Sequence, residues 1–493
     1  MRKIFSLMLA IALLAALSLP IFANSAPKDW NGSDFIGAVA FDKECPIEVE
    51  REVLTFDISE FPNDYYDNQE DYLKYSAKVT AEYKFYNPTD TEVTATLVFP
   101  FGSKPDYGYF YLDNNGDYNV SEDTDKYGIT VDGKSVKRNV RYTLSDYNFD
   151  LDKGLSRLRN GYVSHSFYSP DTVVTKYTYK IDGVNEKVYP NATVAFDWNG
   201  KNGESKLLYP ANRGYSYLDD EKVRFSTWAE NDKTVIFYVI GQPLTQEPEW
   251  AFYSNGHTSD FYKIKNGNIE LLETETLTFE ELALKDWKEN IGISRIDWYN
   301  AIVDSFDEGS DDEYNFIHEH FGEYSEEFDL NTADYMTSCM RWYEYEITIP
   351  PKASIVNTVT APIYPWIDLS YTPGVYSYRY LISPASKWAS FNEIEININT
   401  PFYLTESNIE GFEKDENRYI YSQRGLPSGE LEFSLCEAEY PEREWNLFFP
   451  LFMLIFGAVS LSGIVIIFLV AAFIIGIVCA VILIVNRNKK KKC

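Results

Sequence analysis

The stretch Val79-Thr80-Ala81-Glu82-Tyr83-Lys84-Phe85-Tyr86-Asn87-Pro88-Thr89-Asp90-Thr91-Glu92-Val93-Thr94-Ala95-Thr96-Leu97-Val98-Phe99 reads as strand, turn, strand. Val79, Ala81, Tyr83 and Phe85 alternate with Thr80, Glu82 and Lys84, so one face is apolar and the other wet, the period of a half-buried strand. Val93, Ala95, Leu97 and Phe99 repeat the pattern beyond Asn87-Pro88-Thr89-Asp90, residues that preset or tolerate turn dihedrals. The spacing predicts two neighbouring antiparallel strands joined by this turn.

Outward from this pair, the same alternation predicts strands at 129–133, 138–144, 172–181, 192–198 and 222–228. Val235-Ile236-Phe237-Tyr238-Val239-Ile240 is continuously apolar, the signature of a strand buried on both faces. Thr278 with Glu281 forms a capping box that opens a helical stretch closing at Gly292. A second helix, 294–306, carries Ile296, Tyr299, Ile302, Val303 and Phe306 at helical spacing, and a third is expected over 311–324. Strands resume at 345–349, 355–360, 375–382, 393–397 and 430–435. The expected fold is therefore mainly β: two β-sandwich-like extracellular domains, 27–275 and 341–440, with a short helical segment, 276–340, between them, plus one C-terminal transmembrane helix.

The two ends set the topology. Residues 1–26 have basic Arg2 and Lys3, an apolar stretch and then Ala23-Asn24-Ser25, the layout of a secretory signal peptide. Residues 447–485 hold no charge, and a basic tail, 486–493, follows. A helix over that whole run would be roughly 58 Å long against a hydrocarbon core of about 30 Å. The core span is placed at 464–485, with 441–446 as a stalk and the basic tail on the cytoplasmic side by the positive-inside rule. The 493-residue chain has a net charge of −31, with 75 acidic and 44 basic residues. Neither end holds an acid and together they hold seven bases, so the middle carries 75 acids against 37 bases, an excess of 38 negative charges. Such a surface excludes a nucleic-acid partner, which requires a basic footprint. With 45% apolar residues the chain is too apolar for a disordered polyanion.

Phe85-Tyr86-Asn87-Pro88, then Val93 through Phe99-Pro100, then Ile129-Thr130-Val131-Asp132-Gly133 resembles the order of elements in VIT-type β domains, over residues 75–140. The resemblance implies a β-sandwich used for protein interaction and transfers no catalytic residue. The whole layout is similar to that of bacterial single-pass surface proteins.

Four groups of residues are candidates for chemistry. Asp113, Asn115, Asp117 and Asn119 stand at positions 1, 3, 5 and 7 of a calcium-loop pattern, but Tyr118 replaces the loop glycine and Thr124 the closing glutamate. The same run also suits a polar hairpin loop. His318-Glu319-His320 would share a face only on a strand, and His165 and His257 each lie near a Ser or Thr without selecting a triad. Trp366, Tyr371, Tyr376, Tyr378, Tyr380 and Trp388 supply either sugar-stacking platforms or core packing. Cys339 and Cys436, which both border the second β domain, form the disulfide candidate, with Cys45 left over. The expected role is non-catalytic binding or structural interaction at the cell envelope, without a cofactor apart from calcium. The expected partners are the membrane and an extracellular protein or glycan. A membrane-tethered hydrolase of envelope carbohydrate or peptide is the alternative.

Overall fold

The computed structural model describes residues 34–36, 38–41, 45–62, 77–101, 128–145, 150–200, 203–209, 214–289, 292–317 and 339–443. The expected signal peptide and the segment 447–485 lie outside them. Among the described residues no helix is long and apolar enough to cross a membrane. The chain is mainly β, as its alternation predicts.

The strands Ala77–Tyr86 and Val93–Phe101 exist, and their predicted inward residues are buried, except Val93, which is partly buried. They are not partners of each other. Ala77–Tyr86 pairs antiparallel with Glu48–Asp57 and with Ser354–Ile363, in a sheet of eight strands. Val93–Phe101 pairs with Cys339–Ile349 in a separate four-stranded sheet. The connection is thus an arch between two facing sheets, and the corresponding link from Ile349 to Ser354 is a second arch. Asn87, fully buried, explains why the arch forms instead of a hairpin. Its Oδ1 accepts the backbone N–H of Thr89 at 2.9 Å and the Thr89 hydroxyl at 2.8 Å. Its Nδ2 donates to the carbonyls of Thr91 (2.8 Å), Ile349 (3.0 Å) and Pro350 (3.1 Å). One carboxamide therefore bridges carbonyls of both arches.

The eight-stranded sheet packs its apolar face on the four-stranded sheet and on a sheet ordered Asp34–Ile36, Val375–Leu381, Leu431–Cys436, Tyr403–Ser407. The shared core contains Leu54, Phe56, Val79, Tyr83, Phe85, Leu97, Tyr343, Ile347, Ile394, Ile396, Tyr378 and Phe433. Residues before 145 and after 339 thus build one sandwich. The division into an N-terminal and a C-terminal β domain does not hold, because the deciding pairings are between strands more than two hundred residues apart, which local periodicity does not encode. The turn Asp132-Gly133, both with positive φ, makes the tight hairpin between Gly128–Val131 and Lys134–Ser135.

The intervening residues are an excursion whose ends are neighbours: Asn139–Leu144 and Cys339–Ile349 pair directly. Within it, one sheet runs in the order Asn268–Thr278, Val173–Asp182, Thr234–Gly241, Ser205–Leu208, Phe316–Ile317, Ser310–Asp311. A second runs Gly214–Tyr217, Lys222–Trp228, Thr193–Asn199, Trp250–Tyr253, Lys263–Ile264. Thr234–Gly241 is buried on both faces, as predicted. Val235, Phe237 and Val239 face the second sheet, and Ile236, Tyr238 and Ile240 face helices.

Three helices are relevant: α1 (Leu151–Arg157), α2 (Phe279–Ala283) and α3 (Arg295–Glu308). The capping box forms, with Thr278 N–H donating to Glu281 at 2.7 Å and Glu281 N–H donating to Thr278 Oγ1 at 3.2 Å, but α2 stops at Ala283, short of its predicted end. The predicted third helix is absent over 311–317, because Phe316–Ile317 pairs in parallel with Leu207 and Leu208. Arg141 ties the excursion to the sandwich. Its Nε and Nη2 donate to buried Asp297 of α3 at 3.0–3.1 Å, and its Nη1 donates to Glu344 at 3.0 Å.

The described residues 368–375 and 437–443 form a separate unit. It holds a short ladder of Tyr371–Thr372 with Glu442–Arg443, so the expected stalk begins as a strand.

Replacing Asn87 with Ala removes a donor from the buried Ile349 carbonyl and the acceptor of the Thr89 N–H, and should lower the unfolding free energy by about 2 kcal/mol. Urea denaturation of the variant checks this; a loss under about 0.5 kcal/mol would show that the arches need no tie.

Candidate functional site

A groove of about 600 Å³ opens where the chain passes between the two sheets of the excursion. One side is the connection 242–249 between Thr234–Gly241 and Trp250–Tyr253, and the rest comes from Thr193–Asn199, Glu204, Ser205, Lys222, Arg224 and Lys263. The volume is in the range of small-molecule sites.

The connection is held at its first residues, 242–244. Gln242 N–H donates to the Glu204 carbonyl at 3.2 Å, Ser205 Oγ donates to the Gln242 carbonyl at 2.7 Å, and Leu244 N–H donates to Tyr177 Oη at 2.9 Å. Gly241 makes this approach possible: its φ is +99°, and a Cβ there would lie 2.4 Å from the Glu204 carbonyl oxygen. Trp250 packs on Phe196, with ring centroids 4.7 Å apart, and is half-buried. Gln242, Thr245, Gln246, Glu247 and Glu249 are exposed along the rim.

Arg224 and Asp197 are opposed on neighbouring strands, which sets their geometry. Arg224 Nε and Nη2 donate to the two carboxylate oxygens of Asp197 at 2.7 and 3.0 Å. Its Nη1 donates to the Thr258 carbonyl at 2.6 Å, and the guanidinium lies 5.5 Å from the centre of the Tyr253 ring. The hydrogen bonds to Asp197 raise the guanidinium pKa further, against its partial burial. Burial raises the Tyr253 phenol, so it stays protonated.

A second polar site lies in the sandwich core. A β-bulge between Val49 and Arg51 shifts the alternation of Glu48–Asp57, so Glu52 points inward with Leu54 and Phe56. Tyr380 donates to Glu52 Oε1 at 3.1 Å, and the Tyr83 and Tyr380 hydroxyls are 3.3 Å apart. Burial raises the Glu52 pKa to about 7, against the lowering effect of the two hydroxyls. Both phenols are in turn pushed well above their usual range, chiefly by burial.

The residues proposed from sequence fare differently. The calcium-loop set Asp113, Asn115, Asp117 and Asn119 lies outside the described residues, as does His318-Glu319-His320. Among the described residues no group of three or more His, Cys, Asp and Glu is arranged for a metal ion. His165 Nε2 contacts Asp307 at 3.1 Å, and its Nδ1 accepts the backbone N–H groups of Phe167 and Tyr168, so neither nitrogen is directed at a hydroxyl nucleophile. His257 stacks on Tyr262. Tyr378, Tyr380 and Trp388 are buried core residues, not platforms.

Cys339 and Cys436, the disulfide candidate, are both buried. Cys339 packs among the helices of the excursion, whereas Cys436 ends a strand of a different sheet opposite Tyr403. Among the described residues no disulfide joins them. Neither the groove nor Glu52 was singled out beforehand. A glycine followed by a Pro- and Glu-rich connection, 241–249, was the only local sign of the first, and an acid in an inward position of a strand the only sign of the second.

No protein-family model matches the chain, and no curated protein matches it. Among solved structures, one from Legionella pneumophila, described as a "putative nutrient binding protein", is similar over 82% of this chain and 71% of its own, with 11% identity and a TM-score of 0.33.

The folded-state pKa of Glu52 is above its unfolded value of 4.5, so its stabilising contribution is complete below pH 4.5 and is lost as pH rises through about 7. Glu52→Gln should match the parent near pH 4 and exceed its stability by about 3 kcal/mol at pH 8. Thermal melts of both proteins from pH 4 to 8 check this, and parallel curves would refute it.

Proposed function

We propose that this protein is a non-catalytic binding protein of the cell envelope, exported by its N-terminal segment, anchored through 464–485, and holding its ligand in the groove of the excursion. The observation that supports a binding role is the groove itself. Three hydrogen bonds to Glu204, Ser205 and Tyr177 fix the start of its connecting loop, which lowers the ordering entropy lost when a ligand enters. The Arg224–Asp197 pair stiffens one wall without offering a base or a nucleophile: each of its ionic groups is already engaged. The acid-rich middle, the basic tail and the uncharged run between them support an orientation with the groove outside.

Two measurements test this. Protease treatment of intact cells should digest the large N-terminal portion and leave a small C-terminal fragment protected; full protection would contradict the orientation. Full-length protein in nanodiscs should capture an envelope component, and Gly241→Ala, which forces the connection away from Glu204, should reduce capture at least ten-fold. Capture that is undiminished by Gly241→Ala, in protein verified as folded by circular dichroism, would place binding elsewhere.

A further inference from the structure

We infer that the ligand of this groove is an uncharged, hydroxyl-rich carbohydrate chain, an inference that rests on the groove being the binding site. The first argument is electrostatic. The strongest ionic group in the wall, Arg224, spends its fork on Asp197 and its third nitrogen on the Thr258 carbonyl, and its side chain is only 14% exposed. A ligand carboxylate or phosphate would have to displace Asp197 to gain the bidentate contact that makes arginine an anion receptor. The charges that remain are of mixed sign, Lys222 and Lys263 against Glu204, Glu247 and Glu249. A ligand charge of either sign therefore meets a like charge as well as an opposite one, so the lining selects neither sign. An anionic ligand is also repelled at longer range by a chain of net charge −31.

The second argument is chemical. Exposed Gln242 and Gln246 each present both a donor and an acceptor, which suits a hydroxyl because it too can donate and accept. Half-buried Trp250 and the prolines at 243 and 248 add apolar surface beside these amides. A pyranose ring has this same alternation, with C–H faces between hydroxyl edges, and an indole supplies the matching apolar body. A purely apolar ligand would strand the amides and carboxylates of the rim without hydrogen-bond partners.

The test is calorimetry on the full-length protein in nanodiscs, which avoids sugar-based detergents. The probes are neutral cello-, malto- and N-acetylglucosamine tetrasaccharides, a polygalacturonate oligomer and an oligolysine peptide. The inference predicts saturable binding of at least one neutral tetrasaccharide, changed less than two-fold between 50 and 300 mM salt. It also predicts at least ten-fold weakening by Gln242→Ala/Gln246→Ala, both exposed positions that leave the fold intact. Salt-sensitive binding of only the charged probes, weakened by the same double substitution, would overturn the carbohydrate assignment and leave the groove as the binding site. Binding of a neutral tetrasaccharide that is unaffected by the double substitution would overturn the assignment of that ligand to this groove. Absence of groove-dependent binding by every probe, together with undiminished envelope capture by Gly241→Ala, would overturn both readings.

Discussion

The carboxamide of Asn87 is the contact on which the arrangement of the sandwich turns. Two arches must each carry the chain from one sheet to the facing one, and each holds backbone carbonyls that lie outside the strand ladders. Asn87 answers both at once, by donating to Thr91 within its own arch and to Ile349 and Pro350 in the other. Lys352 reinforces the same junction by donating to the Pro88 carbonyl at 2.6 Å. Once the arches are stacked, the register of Ala77–Tyr86 on Ser354–Ile363 and of Val93–Phe101 on Cys339–Ile349 follows. A one-residue slip in either ladder would turn Tyr83 or Leu97 to the wrong face.

That closure has a consequence for the excursion. Because Asn139–Leu144 and Cys339–Ile349 are adjacent strands, the chain leaves and re-enters the sandwich at one place. The intervening layers could then acquire their own cores without disturbing the sheets they interrupt. The junction is nevertheless stiff: Asp297 accepts from Arg141 and from the Tyr142 N–H, so α3 is bound to the strand from which the excursion departs. Removing one member of such a buried pair is costly, since the other charge is left unpaired. The groove lies in the two sheets of this excursion, whereas buried Glu52 lies in the sandwich. The groove and the buried carboxylate therefore rest on different elements.

Much of the secondary structure was legible from periodicity. The inward residues of Ala77–Tyr86, the double burial of Thr234–Gly241 and the capping box at Thr278 all follow from local rules. What periodicity does not carry is partner choice. Asn87-Pro88-Thr89-Asp90 has the composition of a hairpin turn, and only the carbonyls of Ile349 and Pro350, far away in sequence, make it an arch. The same limit produced the division at 341. The groove was illegible for a related reason: Asp197 and Arg224 are unremarkable polar residues until antiparallel pairing sets them opposite each other. Glu52 was hidden by a bulge, which inverts the alternation that would otherwise turn it to solvent.

The central claim is that the excursion's groove, and not the broad polar face of the eight-stranded sheet, meets the ligand. Site-specific photo-crosslinking in living cells tests it most directly, with the reactive side chain at Gln246 on the groove rim or at Thr80 on the outer face of Ala77–Tyr86. The account predicts a crosslinked envelope species from position 246 and none from position 80. Crosslinking from position 80 alone would contradict it.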